Sequence, residues 1–94
     1  MEIKKALKDN GFAVSKSDDG WSIQQYTPAG EDWWIYLGDL KDFEEFVRSF
    51  DPEDEFNNLW QAKQNGFRGV PGPAELWQDQ LWKQETLNNV LEDL

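Results

Sequence analysis

Trp21-Ser22-Ile23-Gln24-Gln25-Tyr26, then Thr27-Pro28-Ala29-Gly30, then Glu31-Asp32-Trp33-Trp34-Ile35-Tyr36-Leu37 is the stretch that decides the fold. Its two ends are rich in aromatic and β-branched residues, which suit a pleated surface. Between them, Pro28 takes the second and Gly30 the fourth position of a turn, the signature of type I. Side chains alternate across a strand, so Trp33, Ile35 and Leu37 point one way and Trp34 and Tyr36 the other. Tyr26, on the neighbouring strand, is expected to join the second group. Upstream, Phe12 and Val14 alternate with Ala13 and Ser15, and Ser17-Asp18-Asp19-Gly20 offers a turn with Gly available for positive φ. Together these predict a three-stranded antiparallel meander.

Helical spacing flanks the meander on both sides. Ile3, Ala6 and Leu7 share one face, with Lys4, Lys5 and Lys8 turned away, and Asn10-Gly11 gives a stop signal. After Asp39, a suitable N-cap, the residues Leu40, Phe43, Phe46, Val47 and Phe50 recur at helical spacing. Asp51-Pro52 restarts the chain, because Asp caps and Pro fits the first helical position. Phe56, Leu59, Trp60 and Lys63 carry that helix to Asn65-Gly66. Residues 66–73 read as a loop, and Pro73 opens a long helix to about Glu92. In this last helix Leu76, Leu87, Val90, Leu91 and Leu94 gather on one side, and Trp77 borders them. Trp82 falls nearly opposite, so it is expected either to meet a second packing surface or to stand exposed.

Composition narrows the chemistry. The 94 residues include six Trp, no His, no Cys, and a net charge of −10. The usual proton shuttle and metal ligand is missing, and so is the thiolate nucleophile. Ser15, Ser17, Ser22 and Ser49 therefore have no imidazole to activate them. No phosphate-binding glycine loop, nucleophile elbow or zinc spacing is present. No cofactor or metal is expected. The length fits one domain over residues 1–94. No run is apolar enough to span a bilayer and no signal core follows the N-terminus, so a cytoplasmic location is expected.

Negative charge disfavours nucleic-acid backbones and anionic membranes as partners and is compatible with a basic protein partner or with halotolerance. It is also what simple solubility asks for. Residues 38–65 form the acidic pole, with 8 acidic against 3 basic side chains. Asp51, Glu53, Asp54 and Glu55 are its densest part. They suit a divalent cation in principle, but acids also gather at helix N-termini because the macrodipole favours them there. The aromatic pattern is sharper. If helices cover one face of the sheet and leave the other open, Tyr26, Trp34 and Tyr36 form a partner surface, with Trp82 a further candidate. The alternative is that the first or last helix covers them.

Several pieces together carry a resemblance: Thr27-Pro28-Ala29-Gly30-Glu31-Asp32-Trp33, Phe50-Asp51 leading to Leu59-Trp60-Gln61-Ala62-Lys63, and Gly69-Val70-Pro71 before Ala74-Glu75-Leu76. Over residues 22–94 the chain resembles a family of small acidic bacterial proteins with no settled activity. Many of these are carried on phage or plasmid-like elements of Gram-positive gut bacteria. Where that family often has Ser after the Val-Pro, this chain has Gly72-Pro73, and a His common in the family's acidic segment is missing. The resemblance implies a mobile-element setting and a host-interacting role.

The expectation is thus an α+β domain: a three-stranded antiparallel meander, a short N-terminal helix and three C-terminal helices. It is expected to act as a non-catalytic protein-binding or accessory module. Its contact residues are expected to be Tyr26, Trp34, Tyr36 and Trp82, rimmed by Glu44, Glu45, Asp54 and Glu55. Homo-oligomerisation through Trp82 is a further expectation. Two alternatives belong to other classes. One is an acidic DNA-mimic inhibitor of a nucleic-acid-binding protein, and the other a small enzyme using paired carboxylates.

Overall fold

A computed structural model describes residues 2–66 and 70–94. Helix α1 (Ile3–Asp9) leads into strands β1 (Ala13–Ser17), β2 (Gly20–Tyr26) and β3 (Asp32–Leu37). A 3-10 turn (Leu40–Asp42) then precedes α2 (Phe43–Ser49), α3 (Pro52–Gln64) and α4 (Pro73–Glu92). The strands form one antiparallel sheet in the order β1-β2-β3. The architecture is α+β, with one short helix before the sheet and three after it. Of the expected loop, Phe67, Arg68 and Gly69 lie outside the described residues.

Local chemistry explains most element boundaries. At the end of α1 the Phe12 N–H donates to the Leu7 carbonyl and the Gly11 N–H to the Lys8 carbonyl. That pair of bonds is a Schellman motif, which needs the left-handed Gly11 (φ 91°). Leu7 and Phe12 then meet in the core, the apolar contact that accompanies such a cap. Asp51 accepts from the Glu53 N–H at 2.9 Å and Pro52 opens α3, as the sequence implies. The helix expected from Asp39 instead begins as the 3-10 turn, with the Asp39 carboxylate accepting from the Lys41 N–H at 3.1 Å. Such turns are common at helix N-termini.

The β2–β3 connection is a three-residue loop. Gly30 N–H donates to the Thr27 carbonyl and Thr27 N–H to the Glu31 carbonyl, both at 2.9 Å, and Gly30 has φ 91°. A type I turn followed by a left-handed residue matches the twist of the flanking strands. It also fixes the register: Gln25 faces Trp33, Gln24 faces Trp34, Ile23 faces Ile35 and Ser22 faces Tyr36.

That register places Ile23, Trp33, Ile35 and Leu37 on the side the helices cover. They pack with Ala6 and Leu7 of α1, Phe12, Phe43 and Val47 of α2, and Leu87 and Val90 of α4. Helix α3 is more peripheral: it packs along α4 and has no buried residue. Its Phe56 lies against Trp60 and, edge-on, against Trp77.

Two glycines in the hairpins should respond differently to substitution. A Cβ on Gly20 (φ 143°) would come 2.4 Å from the Leu37 carbonyl oxygen, whereas one on Gly30 would meet nothing within 4 Å. Gly30→Ala should cost about 1–2 kcal/mol for its backbone conformation alone. Gly20→Ala adds a backbone collision and should cost more, which urea unfolding of the two variants would reveal.

Candidate functional site

Tyr26, Trp34 and Tyr36 share the sheet face turned away from the helices. No described element covers them: they are 64%, 48% and 71% exposed, respectively. The alternative, that the first or last helix hides these rings, is therefore not met. Trp34 and Tyr36, two apart on β3, lie 5.9 Å between centroids with ring planes only 7° apart, an offset stack. Gln24 reaches across the same face to donate to Asp32 at 2.7 Å. The remaining open-face positions of β1 and β2 are small or neutral, including Ser15 and Ser22. The result is an aromatic ridge along one edge of a small polar sheet.

Trp82 does not belong to this ridge. It lies on the covered side of the sheet, half-buried, with its ring 5.9 Å from that of Trp33 in an edge contact of 66°. No second packing surface is involved: the buried arc of α4 extends through Asp79 and Thr86, so Trp82 borders the same core that Leu87 and Val90 enter. The indole on which the expectation of self-association rested is engaged within its own subunit.

The four acidic residues expected as a rim do not surround the ridge either. Glu44 and Glu45 sit on α2, which packs on the covered side of the sheet, and Asp54 and Glu55 on α3, which packs along α4. Glu44 is paired with Arg48 at 2.6 Å, and Glu55 turns its carboxylate to within 3.8 Å of Lys83. Glu45 and Asp54 are exposed on their helices. Glu53, Asp54 and Glu55 occupy the first turn of α3, the place the helix dipole favours for acids.

Behind the β2–β3 turn lies a buried polar cluster that the apolar periodicity does not reveal. Lys83 of α4 is fully buried, and its Nζ donates to Glu31 Oε1 at 2.6 Å and rides 5.4 Å from the Trp33 ring centre. Glu31 is itself 6% exposed, and Gln80 Nε2 approaches its other oxygen at 3.4 Å. Asp79 accepts from the Thr27 hydroxyl and, at 3.2 Å, from the Ala29 N–H. The Thr27 hydroxyl in turn accepts from the Glu31 N–H at 2.9 Å. Thus the Thr27–Trp33 segment, its threonine, turn amide, carboxylate and indole, is clamped to one stripe of α4.

A signal for this cluster does exist in the sequence. Taking about 100° per residue, Asp79, Gln80 and Lys83 fall within about 60° of Leu76, in the middle of the apolar stripe that Leu87 and Val90 continue. Charged residues at core positions must be paired when buried. The partners come from a turn some fifty residues earlier, which no local pattern discloses.

Beside the cluster, Pro28, Ala29, Ala74, Glu75, Gln78 and Asp79 line a shallow cleft of about 340 Å³. Asp79 is the deepest of these, and both its oxygens are already engaged by the turn. No group of three metal-ligating side chains occurs among the described residues. No helix among them is long and apolar enough to cross a membrane. Compared with protein-family models, with curated proteins and with solved structures, the chain finds no match.

Removing one partner of the buried pair strands the other. Lys83→Met should cost about 3–5 kcal/mol, whereas Lys83→Met combined with Glu31→Leu should recover much of that loss. A double-mutant cycle read by urea unfolding would measure the coupling. Unchanged stability in Lys83→Met would contradict the assignment.

Proposed function

We propose that this protein is a non-catalytic, cytoplasmic binding module that contacts a basic partner protein through the open face of its sheet. The observation that carries this reading is the exposure of Tyr26, Trp34 and Tyr36 together, on a face no described element covers. Large aromatic side chains at that density are typical of contact surfaces, because they offer much apolar area with little side-chain entropy to lose. The chain's net charge of −10 favours a cationic partner and repels anionic membranes and nucleic acid. The resemblance over residues 22–94 adds a setting, an accessory role for a mobile element acting on its host.

Inhibition by DNA mimicry is less well supported. It needs a continuous array of unpaired carboxylates, and on α2 and α3 Glu44 is engaged by Arg48 and Glu55 leans on Lys83. A carboxylate enzyme is less supported still, because the buried acids Glu31 and Asp79 are consumed in holding the turn.

Affinity capture from host extract with wild type, Trp34→Ala and the pair Glu45→Gln/Asp54→Asn discriminates among these. A stoichiometric protein lost with Trp34→Ala and kept with the charge variant is the expected outcome. The reverse pattern would replace aromatic recognition by charge mimicry.

A further inference from the structure

The aromatic ridge runs along a sheet edge that is itself unpaired. Among the described residues, strand β3 hydrogen-bonds to β2 alone. Antiparallel pairs alternate between hydrogen-bonded and non-hydrogen-bonded residues. The bond from Thr27 to Glu31 marks those two as a bonded pair. Stepping along the register, Gln25 and Trp33, Ile23 and Ile35, and Trp21 and Leu37 are then bonded as well. It follows that the N–H and C=O groups of Asp32, Trp34 and Tyr36 point outward. Among the described residues, no other backbone or side-chain group bonds to the main chain of Trp34 or Tyr36. The residues that present the rings are therefore the residues that present free main-chain donors and acceptors.

Exposed edges are usually blunted by Lys, Pro, a bulge or a covering element. Here Asp32-Trp33-Trp34-Ile35-Tyr36-Leu37 has no Lys or Pro, and its register with β2 runs without a skip. The opposite edge differs. Strand β1 packs beside α1 and carries Lys16, whose ammonium sits 5.5 Å from the Trp21 ring centre.

We infer that β3 accepts an added strand: an extended, arginine- or lysine-bearing segment of another protein. This rests on the binding reading above and specifies its mode. Main-chain bonds to Trp34 and Tyr36 would supply affinity, and every second side chain of the guest would lie over the ridge. Charge selects the guest. Lys16, the sheet's one cation, lies on the other face, while Asp32, its one carboxylate within a strand, lies on the open face beside Tyr26. A guanidinium or ammonium over the Trp34 and Tyr36 rings gains a cation–π contact, and the chain's overall charge draws it in. A second copy of this chain would bring its own −10 and is disfavoured.

Amide hydrogen exchange read residue by residue by NMR tests this on the intact chain. In the free protein the Trp34 and Tyr36 amides should exchange quickly, while those of Trp33 and Ile35 are protected. A short peptide alternating arginine with threonine should slow the Trp34 and Tyr36 amides. The same peptide with glutamate for arginine should not. Of two arginine peptides N-methylated on alternate amides, one for each edge, only one should bind. Trp34→Ala should weaken the arginine peptide about 3- to 10-fold, the size of a cation–π contact. Protection of Trp34 and Tyr36 in the free protein, or no slowing at saturating arginine peptide, would overturn strand addition. Equal binding of both N-methylated peptides would do the same while leaving the open face as a contact surface. Binding unaffected by Trp34→Ala, together with host capture unaffected by it, would remove the binding reading as well.

Discussion

A lysine with no exposed surface, paired at 2.6 Å with a nearly buried glutamate, is the constraint on which this structure turns. A buried ammonium is tolerated only with a close counter-charge and satisfied donors. Lys83 can find Glu31 only if α4 lies against the β2–β3 turn at one axial position. Asp79, one turn earlier on α4, then meets the Thr27 hydroxyl and the Ala29 amide. The paired charges set a single alignment, in which Leu87 and Val90 fall over the sheet's inner face. The open face is the complement of that choice: α1, α2 and α4 lie on one side, α3 packs along α4, and among the described residues no element covers the other side.

Much of the fold is legible from local pattern. Strand alternation around Trp33–Leu37, the Pro28–Gly30 turn, the Asn10-Gly11 stop and the Asp51-Pro52 start all act through neighbours in sequence. Their consequences therefore appear where they are read. The open-face positions of Tyr26, Trp34 and Tyr36 follow from the two-residue period once the turn fixes the register. The acidic rim was not legible as a site. Whether Glu44 and Glu55 are free depends on Arg48, four residues on, and on Lys83, twenty-eight residues on. Trp82 reads as lying off the apolar stripe of α4, but buried Asp79 and Thr86 widen that stripe until Trp82 meets Trp33, which local pattern does not show. The buried cluster is legible only by half: Asp79, Gln80 and Lys83 interrupt the apolar stripe of α4, but Thr27 and Glu31, which pair with them, lie some fifty residues earlier.

The division of labour between the two faces of β3 links fold to proposed function. Trp33 is spent on the interior, against Phe12, Trp82 and the Lys83 ammonium. Trp34, its neighbour, is left to solvent with Tyr36. Adjacent residues of one type thus take opposite roles because the pleat sends them to opposite sides. A one-residue slip would exchange them, bury Trp34 and Tyr36 against the helices, and dissolve the ridge.

The central claim is that the clamp between α4 and the turn fixes this register and leaves one aromatic face open. The direct measurement is the paramagnetic broadening of indole N–H signals by a soluble nitroxide, with each tryptophan assigned. Strong broadening of Trp34 beside a sheltered Trp33 is the predicted result. Equal sheltering of both indoles, or broadening of Trp33 in preference to Trp34, would contradict it.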